Sequence, residues 1–504
     1  MRTEWMKLKS GSDIRGDALA HDGVAPMLTV ETAECVGYAF ALWLAKKYDT
    51  TADKLTIAVG HDSRLTGPEL KKGLIKGLTA ADCDVLDCGL CTTPAMFITT
   101  VEPETNCDGA VMITASHHPW YKNGFKLITR EGGLEGKDIT EILTAAINVT
   151  LPQRLVKPCD FLSIYTERLA KMVRERLEDD ALRPLLGLHV VVDAGNGAGG
   201  FYARFLESLG AETEGSQFLD PDGHFPNHIP NPEDKDAMAA ISEAVKKSGA
   251  DLGVIFDADC DRAAIVDENG RAINRNRLIA LISAILLNEK SGQTIVTDSV
   301  TSSGLAKFIA EWGGTHYRFK RGYRNVIDEA IRLNDEGIEC PLAIETSGHA
   351  ALKENFFLDD GMYLVTRLIC EAMERKRQGL TLGSLIDDLA EPLESVEVRM
   401  NIVDEDFRAA GQAVIETILS KTLDDPSWHL APDNREGVRI SFDLDGGVDN
   451  AWFLLRLSVH DPVMPLNAES DVKGGVNVML GKLYELLKDT ESLDLTPLKK
   501  LIEG

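Results

Sequence analysis

The chain has 504 residues, with 53 basic against 80 acidic side chains and a formal charge of −27. That length suggests three or four domains. The charge excludes a basic nucleic-acid surface as the main activity, while leaving room for a few cations to hold a small anion in a cleft. No run of 18 apolar residues predicts a membrane span, and Met1 to Gly16 lacks the apolar stretch of a signal peptide. Nine scattered cysteines fit a reducing cytoplasm, and Cys88-Gly89-Leu90-Cys91 reads as a strand end and turn rather than a zinc or redox motif.

In chain order, one unit recurs three times. Each copy opens on an apolar run and a polar loop: Thr56 to Val59 then Gly60 to Arg64, His189 to Val192 then Asp193 to Gly197, and Thr294 to Val296 then Thr297 to Val300. Helix-period segments follow at Pro68 to Ala80, Gly200 to Leu209 and Gly304 to Trp312. Second strand-like runs come next, at Gly109 to Ile113, Leu252 to Phe256 and Pro341 to Ile344. Strands alternating with helices predict α/β layers. The loops after the second runs are Thr114 to Pro119, Asp257 to Arg262 and Glu345 to His349. Ligands in open α/β sheets sit beyond the carboxyl ends of strands, so the three loops are expected to converge on one cleft. The last part reads as α+β, with strands at Glu397 to Ile402, Gly437 to Asp443 and Trp452 to Val459, and helices at Asp404 to Lys421 and Val472 to Lys488. The expected domains are 1–155, 156–290, 291–392 and 393–504, with linkers near Leu151 to Pro158, Asn288 to Gln293 and Ala390 to Ser395.

Asp257, Asp259 and Asp261 alternate with Ala258 and Cys260. In an extended loop alternate side chains point the same way, and three carboxylates on one side call for a hard cation with oxygen ligands, magnesium or calcium. Cys260 is soft and out of phase, so it is left out of the metal shell. Ser116 follows a hydrophobic run and precedes His117 and His118. The G-x-S-x-G of a hydrolase is absent, and a serine near a metal and cations suits phosphate better. Lys126 lies just downstream. Gly195 to Gly200 matches G-x-G-x-x-G between strand and helix, with Asp220 as a potential ribose acid. The same strand-loop-helix recurs twice without those glycines, which favours a tight turn with close packing over a dinucleotide site. Lys320 to Arg324 is a basic turn in an acidic chain, either a solvated face or an anion contact. Arg456 and Ser458 stand two apart on the predicted strand and so share a face.

Together these residues resemble the α-D-phosphohexomutase superfamily of phosphoglucomutase and phosphomannomutase. Thr114 to Pro119 with Asn123 to Lys126 is similar to its phosphoserine loop, Asp257 to Arg262 to its metal loop, Glu345 to His349 to its sugar loop, and Asp13-Ile14-Arg15-Gly16 to an early D-x-R-G. The resemblance implies three α/β/α domains of mixed sheets and a C-terminal α+β phosphate-binding domain. It implies one magnesium ion held by Ser116, Asp257, Asp259 and Asp261, with Arg15, His117 and Lys126 serving catalysis beside Ser116. Arg262, Lys320, Gly322, Tyr323, Glu345, Ser347, His349, Arg456 and Ser458 would bind substrate. The implied reaction moves phosphate between the 1 and 6 positions of glucose or mannose phosphate through a phosphoserine and a bisphosphate, with a hexose 1,6-bisphosphate as activator. Neither the preferred hexose nor the oligomeric state is legible. A low-activity or regulatory phosphosugar-binding relative of the same fold, and a nucleotide-dependent oxidoreductase resting on the glycine loop, are the alternatives. The chain departs from the resemblance at His118, where the family has Asn, and at Asp461, an acid near Arg456 and Ser458 that is expected to weaken phosphate affinity.

Overall fold

The structure, a computed structural model, describes residues 2–149, 157–178, 182–458 and 461–503. The first expected linker lies mostly outside the described residues, as do Val459 and His460. The chain divides into two compact units, Met1–Leu278 with Ser347–Ser384, and Ile279–Thr346 with Leu385–Gly504.

In the first unit one sheet runs in the order Lys9–Ser10, Asp13–Asp17, Lys122–Thr129, Gly109–Ile113, Thr56–His61, Asp84–Leu90 and Lys157–Pro158. Gly109–Ile113 is buried along its whole length, as expected of a strand covered on both faces. Helices Val30–Lys47 and Gly67–Ala80 pack face to face at glycines. A Cβ on Gly77 would lie 1.9 Å from the Glu34 carbonyl oxygen, and one on Gly37 would lie 2.4 Å from that of Leu74. Phe40, Leu74, Leu78, Val59 and Val111 share the core beneath them. A second sheet, in the order Ala272–Ile273, Ala263–Asp267, Leu252–Phe256 and Val190–Asp193, carries the metal-loop strand.

The second unit pairs Thr294–Thr297 in parallel with both Thr315–Arg318 and Leu342–Ile344. It also holds an antiparallel sheet in the order Glu394–Asn401, Val463–Ser470, Ala451–Leu455, Val438–Phe442 and His429–Leu430. Helices Phe407–Asp424 and Gly475–Leu487 contribute Ile415, Ile418, Leu480 and Leu483 to the core shared with Phe442 and Phe453.

The threefold repeat is visible as a pairing rule. In each copy the opening strand lies parallel to the strand that carries the polar loop: Thr56–His61 with Gly109–Ile113, Val190–Asp193 with Leu252–Phe256, and Thr294–Thr297 with Leu342–Ile344. One expectation is corrected. The strand predicted from Trp452 to Val459 ends at Leu455, so Arg456 and Ser458 lie beyond it rather than on one strand face. The cause is Pro465 on the neighbouring strand. Its carbonyl accepts the Arg456 N–H at 3.2 Å, but proline has no N–H to return. Among the described residues no helix is long and apolar enough to cross a membrane.

Candidate active site

Ser116 stands three residues past the end of Gly109–Ile113, with φ of 52°. A non-glycine residue in that left-handed region costs on the order of 1–3 kcal/mol and persists only where its surroundings hold it. The Ser116 N–H donates to Thr114 Oγ1 at 2.8 Å. The Ser116 hydroxyl donates to Asp257 Oδ2 at 3.0 Å, and Arg262 Nη2 donates to Ser116 Oγ at 3.2 Å.

Asp257, Asp259 and Asp261 are fully buried, and each offers a carboxylate oxygen within 4.8 Å of the others. Lys126, on the strand antiparallel to Gly109–Ile113, pairs with Asp261 and lies 3.4 Å from Asp259 Oδ2. Thr93 Oγ1 donates to that same Asp259 oxygen at 2.6 Å. Asp259 Oδ1 and Asp261 Oδ1 are buried without a hydrogen-bond partner among the described residues. Orphaned anionic oxygens in a carboxylate cluster fit a hard cation. Cys260 takes φ of 65° and lies under Gly199, where a Cβ would come within 2.9 Å of its sulfur. Its thiol donates to the Asp257 carbonyl at 3.7 Å.

The charges are unevenly poised. Burial raises the Asp257 carboxyl well above its ordinary value, with Asp261 and Asp259 adding to the shift and Arg262 opposing it. For Asp261 burial acts in the same upward direction, but Lys126, His349 and Arg262 prevail and hold it low. The His117 imidazole is held far below its usual value by burial of its inner edge and by the charge of Arg262, although the outer part of the residue is exposed. Arg262 Nη2 lies 2.7 Å from His117 Nδ1. A guanidinium only donates, so that nitrogen accepts and the neutral ring carries its proton on Nε2. His349 Nδ1 lies 2.6 Å from Asp359 Oδ2 and 4.0 Å from Asp261 Oδ1. Burial alone would lower its pKa, but the two carboxylates hold it up, at about 9. Arg15 pairs with Asp13 at 2.7 Å and lowers the basicity of both His117 and His118 by its charge.

The first unit thus gathers Ser116, His117, Lys126, Arg262, His349 and the three aspartates, with Arg15 close enough to act on the histidines. Ser347 is buried in that unit. In the second unit the Gly322 N–H donates to Glu345 Oε1 at 2.6 Å. Lys320 is exposed beside the Phe319 ring, and Tyr323 opens the helix Tyr323–Asp335. Arg456 is buried, and its Nε has no hydrogen-bond partner among the described residues. Its guanidinium is lowered first by burial, and the acid that most opposes this is Glu436. Glu436 also accepts from Ser299 Oγ and, at 3.1 Å, from the Arg321 N–H. Asp461 is exposed, its N–H donating to Ser458 Oγ at 3.3 Å. Of the acids acting on the Arg456 charge, Glu436 is the strongest, ahead of Asp298 and Glu397, and sequence reasoning passed over it. It sits on a loop twenty residues upstream of Arg456, and no spacing rule ties the two.

The glycine-loop alternative fails on space. A Cβ on Gly197 would lie 2.7 Å from the Ala258 Cα and carbonyl oxygen, and one on Gly200 would lie 1.8 Å from the Leu219 carbonyl oxygen. Asn196 Nδ2 donates to the Asp220 carbonyl at 2.9 Å. The ground a dinucleotide pyrophosphate would need is filled by this chain's own backbone, and the glycines serve close packing against the metal loop.

Comparison with known proteins finds one family along most of the chain. Residues 6–153, 164–270 and 274–393 match, in order, alpha/beta/alpha domains I, II and III of phosphoglucomutase/phosphomannomutase. The chain belongs to the phosphoglucomutase/phosphomannomutase family. It is 31% identical over 465 residues to a phosphomannomutase/phosphoglucomutase of Pseudomonas putida, covering 91% of this chain and 90% of that protein. To a phosphomannomutase of Escherichia coli it is 30% identical, with 94% and 97% covered. The crystal structure of a phosphoglucomutase/phosphomannomutase family protein from Burkholderia thailandensis superposes with a TM-score of 0.77 at 25% identity, over 96% of this chain and 97% of that one.

Proposed function

We propose that the chain is a phosphohexomutase that moves phosphate between the 1 and 6 positions of glucose or mannose phosphate. The observation that carries this is the Ser116 hydroxyl, 3.0 Å from Asp257 and 3.2 Å from Arg262, at the edge of three buried carboxylates. In the forward reaction a phosphoryl group carried on Ser116 Oγ passes to the free hydroxyl of a hexose monophosphate. The Oγ–P bond breaks, a sugar O–P bond forms, and the hydroxyl proton goes to a base. The hexose bisphosphate then turns over, and its other phosphate returns to Ser116. Added hexose 1,6-bisphosphate would prime the enzyme by the second half of this cycle.

Asp257, Asp259, Asp261 and the phosphate on Ser116 would hold one magnesium ion, which supplies neutralising charge to the phosphoryl oxygens. Arg262 and Arg15 would add fixed positive charge, and Lys126 or His117 would handle the proton. With Arg262 on its Nδ1, His117 is the weaker candidate base in the unphosphorylated enzyme. Glu345, Ser347 and His349 would meet sugar hydroxyls, and Arg321, Arg456 and Ser458 the non-reacting phosphate. The nine cysteines, all free thiols, suit a reducing compartment, and we take the enzyme to act in the cytoplasm. A coupled assay over a panel of hexose 1-phosphates with magnesium and a 1,6-bisphosphate tests the reading. Turnover of glucose or mannose 1-phosphate is expected. Phosphosugar binding with no turnover of any panel member would instead select the regulatory alternative.

A further inference from the structure

The loop from Ser116 to Lys122 contains no helix or strand before Lys122, and its residues His117, Pro119 and Trp120 are exposed. Its own side chains therefore bury too little to fix it. The Tyr121 carbonyl accepts the Ala18 and Leu19 N–H groups at 2.9 and 3.1 Å, and four other carbonyls, including that of Ser116, are held by one residue of a different loop. Arg64, on the loop after strand Thr56–His61, has a fully buried side chain. Nη1 donates to the carbonyls of Pro119 and Lys122, both at 2.9 Å. Nη2 donates to the carbonyl of His118 at 2.7 Å and to that of Ser116 itself. The remaining nitrogen, Nε, lies 3.3 Å from Asp62 Oδ2, and the Phe225 ring covers the guanidinium with its centroid 5.3 Å away.

Asp62 completes a circuit. Its Oδ1 accepts the Arg64 N–H at 2.9 Å, and its Oδ2 accepts the Thr114 hydroxyl at 2.7 Å. Thr114 Oγ1, its one proton spent on Asp62, accepts the Ser116 N–H. Both sides of the Ser116 residue, its N–H through Thr114 and its C=O directly, are thus referred to the Asp62–Arg64 pair. This is the surrounding structure that a strained serine at φ of 52° requires. Four carbonyls converging on one side chain need a planar fork of donors, which a lysine ammonium does not provide.

We propose that Arg64 is the positioning residue of the phosphorylation loop, holding Ser116 in the conformation from which it exchanges phosphate. The inference rests on the mutase reading for what Ser116 does, and on the geometry alone for what holds Ser116. Near-attack geometry is sensitive to displacements of about 1 Å, which cost roughly 100-fold in rate. Arg64→Lys keeps the charge and most of the stem while losing the fork.

The test compares wild type, Arg64→Lys and Arg64→Ala in three readouts. These are the rate of Ser116 phosphorylation by glucose 1,6-bisphosphate from quenched intact mass, steady-state kcat against KM, and hydrogen exchange of peptides 114–124 and 67–80. Expected for Arg64→Lys are a fall of roughly 100-fold in phosphorylation rate and kcat, KM within about threefold, and faster exchange confined to 114–124. Millimolar methylguanidine should restore part of the Arg64→Ala rate and slow that local exchange. Should Arg64→Ala fail to fold, Arg64→Lys decides alone. Phosphorylation of Arg64→Lys at the wild-type rate overturns the proposal, as does a loss accompanied by equal loosening of 67–80. Wild-type protein that takes up no phosphate on Ser116 refutes the mutase reading instead, and the exchange comparison still decides whether Arg64 holds the loop.

Discussion

Asp360 makes a quantitative prediction. It caps the helix Gly361–Arg377 and is fully buried, accepting from Tyr165 Oη at 2.8 Å, from the Tyr363 N–H at 2.8 Å and from Asn355 Nδ2 at 3.0 Å. Burial pushes its carboxyl up from 3.8 to about 6, against the pull of those three donors. The folded state therefore binds this proton more tightly than the unfolded chain. Below about pH 4 the group is protonated in both states and adds no penalty. As pH rises from 4 to 6 the unfolded chain releases the proton while the folded state keeps it, so a penalty accrues, and above 6 it stays constant. The rise from 3.8 to about 6 corresponds to about 3 kcal/mol. Asp360→Asn removes that penalty. It can keep all three contacts, because Asn355 Oδ1, buried without a hydrogen-bond partner, becomes an acceptor when its amide flips. Relative to wild type, the variant should gain about 2–3 kcal/mol between pH 4 and pH 7.5. Hydrogen exchange of residues 361–377, compared between the two proteins at each pH, reads this locally in a chain of several domains, where a single global unfolding midpoint is not defined. A variant less protected than wild type at pH 7.5, or a difference that does not change with pH, would refute the reasoning.

Other expectations concern the site. Asp259→Ala removes a carboxylate with one orphaned oxygen, and kcat should fall by about 100-fold or more, the scale of losing one charge stabiliser; activity undiminished in the variant or in excess chelator would contradict the metal assignment. Glu436→Gln should lower KM for a hexose 1-phosphate by removing the acid that acts most strongly on Arg456, with a smaller effect at high salt, while Asp461→Asn, being on an exposed residue, should leave KM unchanged. The reverse pattern in steady-state kinetics would restore Asp461 as the relevant charge. Gly197→Ala drives a Cβ into the Ala258 backbone of the metal loop and should weaken magnesium activation; normal activation, or quenching of nicotinamide fluorescence by the wild-type protein, would reopen the dinucleotide reading.

The aspartate triad was legible because alternation is a local pattern, although the loop is a turn with Cys260 at φ of 65° rather than the extended segment expected, and Ser116 because it follows a strand buried throughout. The repeat was legible for the same reason, as each copy carries its own apolar runs. What escaped depends on contacts distant in sequence. Arg64 has main-chain carbonyls more than fifty residues away as partners, and carbonyls leave no side-chain pattern to read. Asp461 drew attention by its neighbourhood in sequence, whereas Glu436 acts on the charge of Arg456 only once the C-terminal sheet has formed. Pro465 disguised Val463–Ser470, an eight-residue strand, and cut short the one beside it. The strand Lys122–Thr129 was hidden by its polar first half, although it is buried from Asn123 onward.

The central claim is that Ser116 carries the transferable phosphate. Phosphopeptide mapping of the protein after incubation with magnesium and glucose 1,6-bisphosphate tests it most directly, with Ser116→Ala alongside. The account predicts one phosphate, on Ser116, which transfers to added hexose monophosphate, and a Ser116→Ala protein that takes up none and does not turn over. Phosphate found on a different residue, together with full activity in Ser116→Ala, would contradict it.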